Sequence, residues 1–364
     1  MLVVLSGGGT AGHVNPALAC AEVLEKRGCD VRFAGCPNGV EARLAPQAGL
    51  SFQPFPAAGF NRSHPLSLVK ALVKIQKSTK AAKRWFREVK PDVVVGFGGY
   101  VSIPVARAAE ACDIPVVVHE QNSVMGMANK YLAKRARAVC LTYPHTADGM
   151  PFADRVRCTG NPVRASVLAA TRAEGRAMLG IPEDAVVLLV FGGSLGARRI
   201  NEGVAALKER LLAVPCLYVV HITGPKELES VQRSLALTPE EEKRWLVMGY
   251  QDRMGETMAA ADAVVSRAGA TSLAEISALA LPALLVPFPF ATEDHQTKNA
   301  QAYVQAGCAS MIPDDQVGTP EFQRLVLSLV EDAGMRERMS AAAKAQKTAS
   351  AARILADVVM EAAR

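Results

Sequence analysis

The stretch that most constrains this chain lies at its start. An apolar run, Leu2 to Leu5, breaks into Ser6-Gly7-Gly8-Gly9-Thr10-Ala11-Gly12-His13 and resumes as an apolar-periodic segment through Pro16 to Ala21. This is the sequence form of a strand, a tight turn and a helix, with glycines where the backbone needs positive φ and an anionic ligand needs close access to N–H groups. The spacing is neither the dinucleotide G-x-G-x-x-G nor a P-loop with its Lys-Ser/Thr, so the turn alone does not name a ligand. A second copy does more. Ala185 to Phe191 is another apolar strand, and it runs into Gly192-Gly193-Ser194-Leu195-Gly196-Ala197-Arg198. Two such turns predict two similar α/β domains in tandem, each with a parallel sheet.

At 364 residues the chain is long enough for two cores. Further strand signals fall at Asp30–Ala34, Val93–Gly96 and Pro115–His119 in the first half, and at Leu217–Ile222, Ala263–Ser266 and Ala283–Pro287 in the second. Ligands of open parallel sheets bind beyond the carboxyl ends of the strands. Three polar segments meet that condition in the first half: the opening loop, Gly96 to Ser102, and His119 to Ser123. The alanine- and charge-rich stretch after Arg164 reads as a linker running into a helix, and the cleft between the domains is the default site.

A hydrophobic share of 50% and a charged share of 21% describe an ordinary folded chain. No apolar run is long enough to span a bilayer, and the first residues lack the basic start of a secretory signal, so a cytoplasmic location is expected. The eight cysteines form no C-x-x-C pair, which argues against zinc and against a disulfide framework; they are expected as small buried apolar residues. No D-x-D is present to hold a divalent ion, and neither metal nor cofactor is expected. The net charge of +6 suggests an anionic partner, with phosphates, nucleic acid and lipid all possible.

Between Arg62 and Lys90 basic residues face only Glu88, while Leu68, Leu72, Ile75 and the pair Trp85-Phe86 recur near helical spacing. Such a stretch is either a solvated helix packed on the sheet or a basic amphipathic surface for anionic headgroups, and different faces can serve both. In the second half, Ser266 to Glu275 runs from a strand through a turn into a helix, a start suited to a diphosphate. Glu275 falls one turn after Thr271, where its oxygens could accept both hydroxyls of a ribose. Thr292 to Asn299 is dense in groups that hydrogen-bond a sugar, which favours a nucleotide sugar over a bare nucleotide.

Taken together, G-G-G-T-A-G-H at 7–13, G-F-G-G-Y-V-S at 96–102, H-E-Q-N at 119–122, G-N-P-V-R at 160–164, G-G-S-L-G-A-R at 192–198, R-A-G-A-T-S-L-A-E at 267–275 and D-H-Q-T-K-N-A at 294–300 resemble the MurG family along the whole chain. That resemblance implies a B-type glycosyltransferase fold: an acceptor- and membrane-facing domain 1–161 joined by a C-terminal helix 343–364, and a UDP-sugar-binding domain 162–342. It implies transfer of N-acetylglucosamine from UDP-N-acetylglucosamine to the 4-hydroxyl of the N-acetylmuramyl unit of lipid I, forming lipid II for peptidoglycan. The expected setting is the cytoplasmic face of the bacterial membrane, held peripherally through 62–90, with no nucleic-acid partner. Position by position, Thr10, Ala11, Gly12, His13 and Asn122 would approach donor sugar or acceptor, and Arg164 and Ser194 the diphosphate. Gln251 would hold the uracil through its backbone; Ala270, Thr271, Ser272, Leu273, Ala274 and Glu275 the phosphates and ribose; Gln296 the sugar. Tyr100, His119 and Asn201 match supporting positions. Ala11 stands where the family usually has glycine, Leu195 where a polar residue is common, and His295 where some members have a second glutamine.

The expected chemistry is a single inverting displacement in which the diphosphate is stabilised as it leaves. Its base is His13, because an imidazole suits proton transfer near neutral pH, with Glu120 second; an orienting role for His13 is the alternative. A diacylglycerol glycosyltransferase, a UDP-sugar epimerase and a non-catalytic UDP-sugar-binding protein are the competing readings.

Overall fold

The computed structural model describes residues 1–57, 65–193, 196–346 and 350–364, with side chains for all of these except 65–71. The chain divides into two compact units, Met1–Arg164 with Ala349–Arg364, and Ala165–Thr348.

The first unit carries a seven-stranded sheet: β1 (Leu2–Ser6), β2 (Asp30–Gly35), β3 (Ser51–Pro54), β4 (Val93–Gly96), β5 (Val116–Glu120), β6 (Ala138–Leu141) and β7 (Val156–Cys158), in the order β3-β2-β1-β4-β5-β6-β7. Every pairing is parallel. Helices cover both faces, so the central strands are apolar without a break rather than alternating. Val3 and Leu5 enter one core layer and Val4 the other, as the two-residue period of a strand requires.

The strand order reverses between β1 and β4. At such a switch point the connections leave β1 and β4 toward opposite faces, opening a crevice beyond their carboxyl ends. The two glycine loops of the first half sit there. The last helix, Ala351–Ala362, returns to this unit and sets Leu355, Ala356 and Val359 against Ala17, Leu18 and Ala21 of the first helix, Ala11–Lys26. The segment expected as one helix from 343 to 364 is therefore split: Ala343 to Ala345 close the helix Ala333–Ala345 of the second unit, and the rest belongs to the first.

The second unit repeats the plan with β8 (Val186–Phe191), β9 (Leu217–Ile222), β10 (Trp245–Met248), β11 (Ala263–Ser266), β12 (Ala283–Leu285) and β13 (Ala309–Met311), ordered β10-β9-β8-β11-β12-β13 and parallel throughout. Its switch point lies between β8 and β11. The stretch expected as a linker is part of this unit. Helix Arg172–Leu179 starts in a Thr171/Glu174 capping box, and its Arg176 is fully buried, paired with Asp262 at 2.9 Å and donating to the Pro182, Glu183 and Ala185 carbonyls. A charge-rich sequence reads as solvent-exposed until the partner of its buried charge is known.

The apolar pair of the basic helix faces the sheet, as the packed-helix alternative has it: Phe86 is buried in the core and Trp85 packs on Phe55 with ring centroids 5.7 Å apart. One expectation needs correction. Cys20, Cys29, Cys140 and Cys308 are buried as expected, whereas Cys158 and Cys216 are exposed.

Candidate active site

In the first unit the three polar segments share one rim because β1, β4 and β5 are parallel neighbours. Thr10 is the exposed residue before the first helix; Ala11 and Gly12 open that helix, and His13 lies in its first turn. Ala11 is therefore in helical conformation and needs no glycine; the left-handed residue of this loop is Gly9, at φ +84°.

The His13 ring is held from below. Its Nδ1 lies 2.8 Å from the Gly8 carbonyl oxygen and 3.4 Å from Thr10 Oγ1. A carbonyl only accepts, so Nδ1 carries the hydrogen and, in the neutral ring, Nε2 keeps its lone pair. Gly98, at φ +98°, presents its bare Cα to this ring: a Cβ there would lie 3.2 Å from His13 Nε2 and 3.5 Å from Asn129 Nδ2. The Gly8 amide donates across to the Gly98 carbonyl at 3.3 Å, tying the two glycine loops together. Tyr100 stands exposed in the turn that follows.

His119 is a different kind of histidine. It is fully buried against Phe97, its Nε2–H donates to the Gly160 carbonyl at 2.9 Å, and its Nδ1 accepts from Gln121 Nε2 at 3.2 Å. Burial pushes its pKa down to about 4, against which the Gly160 bond pulls the other way. It stays neutral and fastens the end of β5 to the G-N-P-V-R segment.

Glu120 is also buried. Its Oε1 accepts from Asn122 N (3.0 Å) and Asn122 Nδ2 (3.1 Å), and its Oε2 from Gly126 N (3.0 Å) and Asn129 Nδ2 (2.8 Å). Four donors on two oxygens take up the lone pairs a base would use. The carboxylate of Glu120, the second candidate base, thus braces the 120–129 loop, and Asn122 is one of the groups it braces. Asn129 and Gln121 escaped the sequence reading as individual positions. Asn129 also donates to the His119 carbonyl at 3.0 Å, and Gln121 to the Phe97 carbonyl at 3.0 Å. Polar side chains falling within a helix start and a loop give no separate signal in one sequence. Gln121 Oε1, Asn129 Oδ1 and Arg164 Nε are buried without a hydrogen-bond partner among the described residues.

In the second unit Ser194 and Leu195 lie outside the described residues. Asn201 is buried, donating to the Thr223 carbonyl at 2.9 Å and accepting from His221 Nε2–H at 3.1 Å. It is a tie beneath the loops rather than a surface group. Thr223 in turn donates to the Met248 carbonyl, and Gln251, half-buried just beyond β10, lies with its Nε2 3.6 Å from Met248 Sδ. Burial pushes the His221 pKa down to about 4.

Helix Ala270–Ala278 begins after β11 on Gly269, which has no side chain to cap it. Ala270, Thr271 and Ser272 are half-buried there, whereas Leu273 and Ala274 point into the core, so any contact of these two with a ligand runs through the backbone. Glu275 is buried on the same helix. Gln296 lies against this start: its Oε1 accepts from Ala268 N at 3.2 Å and Phe288 N at 2.9 Å, which leaves its amide N–H groups as the donors it can offer a sugar. Arg267 pairs with Asp314 at 2.6 Å and sits over the Phe288 ring, fixing the turn that precedes the helix. Among the described residues no three His, Cys, Asp or Glu side chains group as a metal ion would require.

Two parallel α/β units, each with a glycine turn after its first strand and a switch point at that turn, define the class of fold: the two-domain B type of glycosyltransferases. The sequence matches the glycosyltransferase family 28 N-terminal domain over residues 3–141 and the glycosyltransferase family 28 C-terminal domain over residues 187–355. It is 37% identical to a UDP-N-acetylglucosamine–N-acetylmuramyl-(pentapeptide) pyrophosphoryl-undecaprenol N-acetylglucosamine transferase of Halothermothrix orenii, covering 94% of each chain. It is 40% identical to the transferase of the same name from Leuconostoc mesenteroides, again over 94% of each. The crystal structure of MurG from Acinetobacter baumannii superposes with a TM-score of 0.77 at 28% identity over 99% of both chains. The chain belongs to the MurG family within glycosyltransferase family 28, and it is a hexosyltransferase.

Proposed function

We propose that this enzyme moves N-acetylglucosamine from UDP-N-acetylglucosamine to the 4-hydroxyl of the N-acetylmuramyl unit of lipid I, with inversion, giving lipid II for peptidoglycan. The observation that carries the mechanism is the state of His13: Nδ1–H is committed to Gly8, so Nε2 is the acceptor at the rim of the glycine loops. As the new bond from the acceptor O4 to the anomeric carbon forms, the bond from that carbon to the UDP oxygen breaks. The hydroxyl proton passes to Nε2 and the electron pair leaves on the diphosphate.

The start of helix Ala270–Ala278 is suited to that diphosphate, and the family motif assigns Arg164 to it as well. Ser194 is assigned to the same task through the family motif. Gln251 reads uracil, Glu275 the ribose hydroxyls, and Gln296 donates to the sugar. Thr10, Ala11, Gly12 and Asn122 approach the donor sugar or the acceptor, with Tyr100 beside them; His119 and Asn201 hold the loops from inside.

No helix of the described residues is long and apolar enough to cross a membrane. A peripheral seat on the cytoplasmic face fits helix Pro65–Val89, where Lys74, Lys77, Lys80, Arg84 and Arg87 are exposed and Leu72 and Val73 are apolar yet exposed.

The test is consumption of UDP-N-acetylglucosamine with a lipid I analogue in chelator, with diacylglycerol run alongside. Transfer to the muramyl lipid alone is expected, and His13→Ala is expected to lower turnover by about 10²–10⁴-fold with donor affinity nearly kept. Transfer only to diacylglycerol, or free sugar product without acceptor, overturns the assignment. Equal losses of turnover and affinity in His13→Ala make His13 an orienting group.

A further inference from the structure

Glu41 belongs to none of the motifs above, yet its carboxylate is fully buried at the start of helix Glu41–Gln47. Its Oε1 accepts from Cys36 N at 2.9 Å and its Oε2 from Gly9 N at 3.2 Å, so one side chain bridges the loop after β2 and the glycine loop after β1. Its surroundings are cut to fit. The three atoms nearest a Cβ on Gly39 would all belong to the Glu41 carboxyl group, and a Cβ on Gly8 would strike the same group. Glycines from both loops thus leave a socket for one carboxylate. Burying a charge is costly unless its hydrogen bonds are made, and this one makes them to the loop that controls His13.

The link is short. Gly9 is held by Glu41, and the neighbouring Gly8 offers the carbonyl that takes the His13 Nδ1 hydrogen at 2.8 Å. We infer that Glu41 is a positioning residue: it clamps the glycine loop so that the Gly8 carbonyl keeps His13 in the Nδ1–H tautomer with Nε2 open to the acceptor. Its consequence for turnover rests on the base role proposed for His13; its effect on the tautomer does not.

The experiment reads the ring nitrogens of the full chain by multiple-bond ¹H–¹⁵N NMR, with the His13 signals assigned by their loss in His13→Ala. Wild type is expected as the Nδ1–H tautomer. Glu41→Gln keeps the size but turns an amide NH₂ toward one of two N–H donors, so the loop should slacken and His13 shift toward Nε2–H. Turnover should fall about 10- to 100-fold with the KM for UDP-N-acetylglucosamine nearly unchanged. In a His13→Ala background the same substitution should cost nothing further. Gly39→Ala presses on the carboxylate and should act in the same direction, which keeps the test open if Glu41→Gln fails to fold. Unchanged His13 nitrogens in a folded variant, or an equal loss of turnover in the His13→Ala background, overturn the inference. A shifted tautomer with normal turnover upholds the clamp and removes the base role from His13.

Discussion

Replacing Glu120 by glutamine separates a brace from a base. In the native chain its two oxygens accept four N–H bonds, from Asn122 N, Asn122 Nδ2, Gly126 N and Asn129 Nδ2. Glutamine keeps one oxygen and sets an NH₂ against two of these donors, so two bonds to a charged acceptor are lost. At about 1.5–3 kcal/mol each, the first unit should lose roughly 3–6 kcal/mol. For a urea slope of about 2 kcal/mol/M this lowers the midpoint by ~1.5–3 M. A two-domain chain does not obey a single two-state transition, so each unit needs its own reporter. The two tryptophans supply them, because Trp85 lies in the first unit and Trp245 in the second. Fluorescence in a Trp245→Phe background should show the Trp85 transition shifted, while a Trp85→Phe background should show the Trp245 transition in place. An unmoved Trp85 transition together with abolished turnover would refute the bracing argument and return Glu120 to the chemistry.

The buried imidazoles set an acid limit. His119 and His221 have pKa values near 4 in the folded chain against 6.5 for an exposed histidine, so the unfolded chain takes up protons first. The stabilisation is fully present above about pH 6.5 and is lost as pH falls toward 4, up to about 3 kcal/mol per site, and His221→Gln should flatten that slope in the Trp245 transition. Replacing Lys77, Lys80 and Arg84 by alanine removes three exposed charges from one helix face; at about 1 kcal/mol each, partition onto vesicles containing anionic lipid should weaken roughly 100-fold, with turnover of a soluble acceptor analogue kept. Equal partition of this variant and wild type would show that the helix does not carry the membrane contact.

The strands that were legible in advance are the central ones. β1, β2, β4, β5, β8, β9, β11 and β12 lie inside the two sheets, and a segment covered on both faces must be largely apolar. β3, β7, β10 and β13 lie at sheet edges, where a short segment need not be continuously apolar, and they went unread. β6 lies inside the sheet but is a four-residue run between basic residues and a polar turn, too short for a period.

The site divides along the same line. Glycine loops and H-E-Q-N were readable because ligand-bearing turns demand particular residues at fixed offsets from a strand end. Their order within a single sequence also carried the family and, with it, the fold. What a side chain does once there depended on neighbours far away in sequence. His13, His119 and His221 are the same residue, yet one rests on Gly8 with Nε2 open, one is sealed against Phe97 and Gly160, and one is buried on Asn201. Glu120 was read as a candidate base and Glu41 was not read at all, and both are buried acceptors of backbone N–H groups. Periodicity and turn chemistry are local and act through residues a few positions apart. The hydrogen-bond partner of a buried polar group is chosen by tertiary packing, and only the folded chain decided which of these groups would be sealed inside and which left at a strand-end rim.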